Sequence, residues 1–256
     1  MSRLAIVTGS DSGIGRATAV RLATEGCDVG ITWHRDEQGA GETADEVRAA
    51  GGRAFVRRSD VSDPADAQRM VEQLAADLGG LDVLVNNAGT GHSTPALETE
   101  LDEWRRVVET DLTGAFVAAR TAARLMVDQG RGGRIVNVTS VHEHVPLEGS
   151  VAYTAAKHGL GGVTKVMALE LAQHGIMVNS VAPGEIATPM TGQPDGDPHG
   201  EERPGIPLGR PGDAREIAAA IAHLCSADAS YTTGASFVVD GGMLLMAAMA
   251  NQLASG

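Results

Sequence analysis

Short apolar runs alternate with longer amphipathic stretches along this chain. The apolar runs predict strands at residues 4–7, 29–33, 54–56, 82–85, 134–138, 176–178 and 236–239. The stretches between them predict helices at residues 14–25, 37–50, 64–78, 101–126, 152–174 and 214–225. Uninterrupted apolar runs are typical of strands that are buried on both faces. The alternation therefore predicts a doubly wound, three-layer α/β fold, in which helices cover both faces of a parallel sheet.

The length and net charge of the chain limit the kinds of function that it can have. A chain of 256 residues suits one large domain or two small ones, and no linker divides it, so residues 1–256 are predicted to form a single domain. The formal net charge is −13, from 20 basic and 33 acidic residues. An acidic surface repels phosphate backbones, so nucleic-acid binding is not expected. No basic tract indicates a membrane partner.

Cysteine usage and the chain start both favour the cytoplasm. Two cysteines, Cys27 and Cys225, cannot form a disulfide framework. The first strand begins at Leu4 with no charged segment and cleavage site before it, so no signal peptide is expected. The late apolar run 243–250 is too short to span a bilayer, and either core packing or an oligomer contact explains it.

A glycine-rich turn joins the first strand to the first helix. Gly9, Gly13 and Gly15 are spaced Gly-x-x-x-Gly-x-Gly. Glycines there allow a pyrophosphate to approach the backbone, and the helix N-terminus offers free N–H groups. The motif alone is also compatible with an ordinary loop. Its position is the one at which open parallel sheets bind nucleotides.

The fourth strand ends in Asn86-Asn87-Ala88-Gly89. This strand end lies on the ligand side of a parallel sheet. The asparagines are suited to tie neighbouring strands together or to hold a ribose. An ordinary Asn-Gly turn is the alternative.

A tyrosine and a lysine lie four residues apart at the start of a long helix. The chain has only two of each residue type, and Tyr153 and Lys157 share one helix face. A phenol has an ordinary pKa of about 10, and a neighbouring ammonium favours its phenolate. This pairing suits a general acid or base, with Ser140 placed to hydrogen-bond the reacting oxygen. A surface pair without chemistry is the alternative.

These motifs occur together in one order, followed by Pro183-Gly184. The chain resembles the short-chain dehydrogenase/reductase family over essentially its whole length. The resemblance implies a seven-stranded Rossmann-type sheet. It also implies hydride transfer between a nicotinamide cofactor and a small carbonyl or secondary alcohol substrate.

The resemblance implies a role for each motif residue. Tyr153 would protonate the carbonyl oxygen, Lys157 would assist it and bind the nicotinamide ribose, and Ser140 would orient the substrate. The full set of implied cofactor-binding residues is Gly9, Ser12, Gly13, Ile14, Gly15, His34, Arg35, Asp60, Val61, Asn87, Ala88, Gly89, Tyr153, Lys157, Pro183, Gly184, Ile186 and Thr188.

One position departs from the family pattern. Where the family usually carries a catalytic asparagine, the segment Thr110-Asp111-Leu112-Thr113-Gly114 has an aspartate. Asp111 can accept hydrogen bonds and pair with Lys157, but it has no amide N–H to donate. It remains a candidate catalytic residue, and from sequence alone Asp111→Asn is expected to be tolerated.

The end of the second strand bears on cofactor preference. NAD-preferring enzymes place an acid there, whereas this chain has Trp33 followed by His34 and Arg35. A guanidinium binds a 2′-phosphate, so the sequence favours NADP(H), with NAD(H) also possible. The alternative is an exposed Arg35 offset by the acids that follow it.

The segment His142-Glu143-His144 is expected to edge the substrate pocket. Its polar residues favour a small hydrophilic substrate, with His142 in contact, and no metal site is expected. Residues 188–213 form a predicted substrate lid. A 3-oxoacyl carrier-protein reductase and a glucose-type sugar dehydrogenase remain open, and so does a non-catalytic NAD(P)-binding regulator. The family habit implies a homotetramer.

Overall fold

Seven parallel strands form one sheet in the order β3-β2-β1-β4-β5-β6-β9. The computed structural model describes residues 2–91, 93–192 and 198–246. The strands are β1 Arg3–Val7, β2 Cys27–Trp33, β3 Ala54–Arg58, β4 Val83–Asn86, β5 Gly133–Val138, β6 Ile176–Pro183 and β9 Ser236–Val239. Two short strands, β7 Ile186–Ala187 and β8 Gly212–Asp213, pair separately. The seven-stranded parallel sheet is confirmed.

Helices cover both faces of the sheet. They are α1 Gly13–Thr24, α2 Glu37–Ala49, α3 Pro64–Leu78, α4 Leu101–Val108, α5 Ala115–Gln129, α6 Val151–Leu171 and α7 Ala214–Cys225. One core cluster joins the sheet to α1, α2 and α7, with Leu22 and Ile217 fully buried. The other joins it to α3, α5 and α6 through Leu74 and Met126. The three-layer, doubly wound architecture is therefore confirmed.

Helix ends follow local chemistry. The carboxylate of Asp63 accepts a hydrogen bond from the N–H of Ala65, and Pro64 occupies the first helical position of α3. The same helix ends at Gly79, whose φ of 89° lies in the left-handed region. Both features are typical of helix termini, so the start and end of α3 match the sequence prediction.

The strand order reverses at β1. This strand pairs with β2 on one side and β4 on the other, so the chain winds outward in both directions from it. Since all seven strands are parallel, their carboxyl ends meet at one edge of the sheet. A crevice opens at this reversal point, which is where such sheets bind ligands.

The predicted helix at residues 101–126 is helical throughout, but it is not one continuous α-helix. A π-helical turn, Glu109–Gly114, separates α4 from α5. This turn packs so closely on the loop after β3 that a Cβ on Gly114 would lie 2.1 Å from the Val61 carbonyl oxygen. The turn contains a single large apolar residue, Leu112, so the apolar period gives no signal that distinguishes it from a regular helix.

The predicted lid, residues 188–213, follows one of the paired short strands and ends on the other. Ile186 pairs with Gly212 and Ala187 pairs with Asp213, so the two ends of the segment lie side by side. Residues 193–197 of the lid, and residues 247–250 of the late apolar run, lie outside the described part of the chain. Among the described residues, no helix has the length and apolar character needed to cross a membrane.

Candidate active site

A cleft of about 860 Å³ runs along the carboxyl ends of the strands. The sequence-predicted site residues line it with one exception, Gly15. The lining includes Gly9, Ser12, Gly13, Ile14, His34, Arg35, Asp60, Val61, Asn87, Ala88, Gly89, Asp111, Ser140, His142, Tyr153, Lys157, Pro183, Gly184, Ile186 and Thr188. Residues distant in sequence therefore meet in one continuous site.

The glycine-rich turn offers the backbone groups that a pyrophosphate needs. Gly9 and Gly13 have φ values of 58° and 52°, which side chains rarely adopt. The first turn of α1 contains no acid. The N–H groups of Gly13 and Ile14 donate no hydrogen bond to the backbone of a described residue. The turn fits an anionic dinucleotide by these criteria.

Gly15 has a packing role beside the cleft. A Cβ at this position would lie 2.1 Å from the Gly9 carbonyl oxygen and 2.6 Å from Asn87 Nδ2. Helix α1 can therefore approach the turn only with glycine here.

The asparagines after β4 tie strands together. Asn87 Nδ2 donates to the carbonyl oxygens of Thr8 and Gly9, at 3.0 and 2.9 Å. Asn86 Nδ2 donates to Ala115 O and to Asn137 Oδ1. The strand tie, one of the roles considered from sequence, is therefore present, and it holds the turn against the sheet.

The far end of the cleft carries the groups that follow β2. His34 Nδ1 lies 3.5 Å from Asp60 Oδ1, and the Arg58 guanidinium lies 5.8 Å from the centre of the Trp33 ring. Hydrogen bonds from Ser62 lower the pKa of Asp60 despite partial burial. The carboxylate of Asp36 is occupied at the start of α2 by the N–H of Gly39.

The end of the cleft that holds the candidate catalytic residues centres on a buried ammonium. Lys157 Nζ lies 3.2 Å from Asp111 Oδ2, donates to the Val138 carbonyl oxygen at 3.2 Å and lies 5.4 Å from the centre of the Tyr153 ring. Burial by itself lowers the pKa of Lys157, but the charges of Asp111 and Tyr153 outweigh it and raise that pKa. The lysine is therefore held as a cation beside the tyrosine.

Asp111 sits in the π-helical turn and is 1% exposed. Its Oδ1 accepts a hydrogen bond from the N–H of Thr90 at 2.8 Å. Burial raises the pKa of this carboxyl, and the Lys157 ammonium and the Thr90 N–H oppose that shift. The carboxylate therefore accepts a hydrogen bond through Oδ1 and forms an ion pair with Lys157 through Oδ2.

The Ser140 hydroxyl is oriented by a short turn. Ser140 precedes a 3-10 turn, Val141–Glu143, and its Oγ accepts a hydrogen bond from the N–H of His142 at 3.2 Å. Because the oxygen accepts this bond, its hydrogen is available to donate toward the cleft. This polarity suits the binding of a carbonyl oxygen.

The expectation that His142, Glu143 and His144 all shape the pocket is wrong for two of them. Only His142 lines the cleft. Glu143 points inward and accepts hydrogen bonds from Thr139, Ser180 and Ser236, and His144 contacts Ser236 from the surface. A 3-10 turn has three residues per turn, so successive side chains point in different directions.

Sequence reasoning missed some polar contacts at the substrate end. The Arg106 guanidinium donates to Thr90 Oγ1 at 2.7 Å, and Arg203 in the lid pairs with Glu185 at 2.7 Å. Glu185 directly follows the Pro183-Gly184 motif, which is the one sequence signal that could have marked it. Among the described residues, no group of three His, Cys, Asp or Glu side chains is arranged to hold a metal ion.

Comparison with known proteins decides the family. A profile described as enoyl-(acyl carrier protein) reductase matches residues 9–244. An uncharacterized oxidoreductase, YohF of Escherichia coli K12, is 53% identical over 96% of this chain and 97% of its own length. The chain is a short-chain dehydrogenase/reductase. It is accordingly an oxidoreductase that acts on an alcohol or carbonyl group of a small molecule with a nicotinamide cofactor.

Two solved structures of this family are closely similar. Acetoin dehydrogenase from Enterobacter cloacae has a TM-score of 0.90 and 56% identity, with 96% of each chain covered. Acetoin dehydrogenase YohF from Salmonella typhimurium has a TM-score of 0.90 and 54% identity, with 96% of this chain and 97% of that one covered.

The geometry changes the expected result of Asp111→Asn. An amide has one oxygen, whereas Thr90 N–H and Lys157 Nζ each face a separate carboxylate oxygen. An N–H of the amide would therefore oppose an ammonium, and the pKa of Lys157 would fall. We expect kcat/KM to drop at least about tenfold, or roughly 1.4 kcal/mol. In a plot of kcat/KM against pH, the pH at which activity is lost on the alkaline side should move to a lower value.

The matched control is Asp128→Asn on the exposed side of α5. The measurement is kcat/KM as a function of pH for both variants. An Asp111→Asn enzyme with wild-type efficiency and an unmoved alkaline limit would contradict the role of the carboxylate.

Proposed function

We propose that this enzyme interconverts a small α-hydroxy ketone or diketone and its alcohol, with NADP(H) as the preferred cofactor. The observation that carries the proposal is the meeting of Ser140, Tyr153 and Lys157 at one end of the cofactor-sized cleft. That end is also lined by polar groups from Thr90 and His142. The similarity to two acetoin dehydrogenases supports a short, polar substrate.

The residues divide the proton chemistry between them. The bound cofactor supplies the hydride that adds to the carbonyl carbon. The Ser140 hydroxyl donates a hydrogen bond to the carbonyl oxygen, and the Tyr153 hydroxyl transfers its proton to that oxygen. The Lys157 ammonium stabilises the phenolate that remains, and Asp111 holds the ammonium in place. In the oxidative direction the Tyr153 phenolate takes the proton from the alcohol.

Replacing Tyr153 by phenylalanine tests whether this side chain is the proton donor. The variant lacks the proton donor but keeps the ring, so turnover should fall at least about a hundredfold, within the range typical of lost general acid catalysis. Cofactor binding, measured by fluorescence titration, should persist.

Tyr231 provides the control, because it is the other tyrosine and is fully exposed. Tyr231→Phe should retain full activity. Binding of cofactor without turnover on any ketone in the wild type, unaltered in Tyr153→Phe, would favour a non-catalytic regulator instead.

The NADP(H) preference is supported by the groups that follow β2. Arg35 and His34 line the cleft where an NAD-preferring enzyme has an acid, and Asp36 is occupied at the helix start. We expect Arg35→Asp to lower kcat/KM for NADPH at least about tenfold, since a charge-assisted hydrogen bond contributes roughly 1.5–3 kcal/mol. The value for NADH should change less than about threefold.

Arg48→Asp serves as the matched charge reversal, because Arg48 is exposed on α2 and does not line the cleft. A wild-type enzyme that is tenfold more efficient with NADH would refute the preference.

We also propose that four copies assemble. Val166 and Leu169 on the outer face of α6 are 54% and 83% exposed, and Val238 lies on the sheet's edge strand β9. Exposed apolar side chains of this kind favour burial against another subunit. Of the glycines in α6, Gly159 and Gly161 pack within the subunit, and Gly162 has open space beside it.

Light scattering should give about four times the chain mass of 26.3 kDa. Leu169→Glu should reduce that mass, because it places a charge on the proposed contact. The control is Leu97→Glu, which changes a fully exposed leucine that lies on neither α6 nor β9. A monomeric wild type would disprove the assembly.

We also propose that the protein is located in the cytoplasm. Cys27 and Cys225 are both free and buried, which is typical of proteins from reducing compartments. Burial raises the pKa of the Cys225 thiol to about 12, so this side chain stays protonated.

A further inference from the structure

The imidazole of His142 has one nitrogen committed and one free. Its Nδ1 lies 3.1 Å from the carbonyl oxygen of Val145. A carbonyl oxygen only accepts hydrogen bonds, so Nδ1 must carry the hydrogen. In the neutral ring Nε2 then holds a lone pair and acts as an acceptor. The loop after Ser140 therefore fixes which atom of this ring is left to bind a ligand.

The free nitrogen belongs to a ring beside the proton donor. The rings of His142 and Tyr153 meet edge to face, with their centres 6.3 Å apart, and both side chains line the cleft. Among the described residues, the hydrogen bond of this ring is the one at Nδ1. A ring whose second nitrogen is uncommitted thus lies beside Tyr153.

The carboxylates that line this end of the cleft are already engaged. Asp111 is held by Thr90 and Lys157, and Glu185 is paired with Arg203 of the lid. The hydroxyl oxygen of Thr90 accepts a hydrogen bond from Arg106. His142 Nε2 is an acceptor at this end of the cleft that is neither part of an ion pair nor bonded to a described residue.

We propose that His142 Nε2 accepts a hydrogen bond from a hydroxyl on the carbon next to the reacting carbonyl. This inference rests on the proposed function and narrows its substrate class. Ser140 and Tyr153 bind the reacting oxygen, and His142 binds its neighbour. Oxygens on adjacent carbons are close enough for neighbouring side chains to bind one each. The enzyme is then selective for α-hydroxy ketones and, in the oxidative direction, for vicinal diols.

Hydrogen-bond donors and acceptors explain why an α-hydroxy ketone is favoured over a diketone or a simple ketone. The second oxygen of a diketone only accepts, so its lone pair would oppose that of Nε2. A simple ketone has no second oxygen and leaves Nε2 without a substrate partner. A site that is built to bind a hydroxyl discriminates against analogues that lack one, because its own polar group is left unpaired.

The test compares three four-carbon substrates: acetoin, 2-butanone and diacetyl. His142→Phe keeps a ring against Tyr153 and removes the acceptor. We expect kcat/KM for acetoin to fall about tenfold, or roughly 1.4 kcal/mol, mainly through KM. The value for 2-butanone should stay within about threefold of wild type, and the value for diacetyl should stay the same or rise, because the opposing lone pair is gone. His142→Gln, which restores an acceptor oxygen, should recover most of the acetoin activity.

His144→Phe is the matched control, since His144 lies on the same turn but outside the cleft. It should leave the ratio of acetoin to 2-butanone unchanged. An equal loss on acetoin and 2-butanone in His142→Phe would overturn the inference and assign His142 a structural role. An unchanged ratio would overturn it as well. Wild-type protein that turns over none of the three substrates would instead refute the proposed function, and this inference with it.

Discussion

The catalytic end of the cleft depends on the buried ion pair between Lys157 and Asp111. An ammonium that is almost inaccessible to water requires compensating charge and hydrogen bonds, because isolated buried charges are very unfavourable. Asp111 supplies the charge and Val138 supplies a carbonyl oxygen. The partners lie on the π-helical turn, on β5 and on α6, so one electrostatic requirement fixes the relative positions of three elements.

This pair explains why the π-helical turn occurs where it does. The turn brings Asp111 to Lys157 and to Thr90, while Gly114 in the same turn packs on Val61 near the other end of the cleft. One helical irregularity thus contacts both ends of the cleft. Irregular turns of this type are frequent at functional sites, where a regular helix would present the wrong side chain.

The substrate end combines donors and acceptors of fixed polarity. The Ser140 oxygen is used by the N–H of His142, and the Nδ1 hydrogen of His142 is used by Val145. Both commitments arise within one short turn after β5. What remains for a ligand is a hydroxyl hydrogen from Ser140 and a lone pair from His142. Local backbone geometry has thereby set the hydrogen-bonding pattern of the pocket.

The sequence by itself determined the layered fold, the site motifs and the family. Apolar periodicity identifies buried strands, and ordered motifs such as Gly9 to Gly15 and Tyr153 with Lys157 indicate a cofactor and a proton donor. Only the tertiary structure decided which side chains face each other. From the sequence, Asp111 was an aspartate at the position of the family's asparagine. In the structure, its carboxylate lies between the N–H of Thr90 and the ammonium of Lys157. Glu143 and His144 adjoin His142 in sequence but leave the cleft, because the direction of a side chain depends on a short turn that periodicity does not encode.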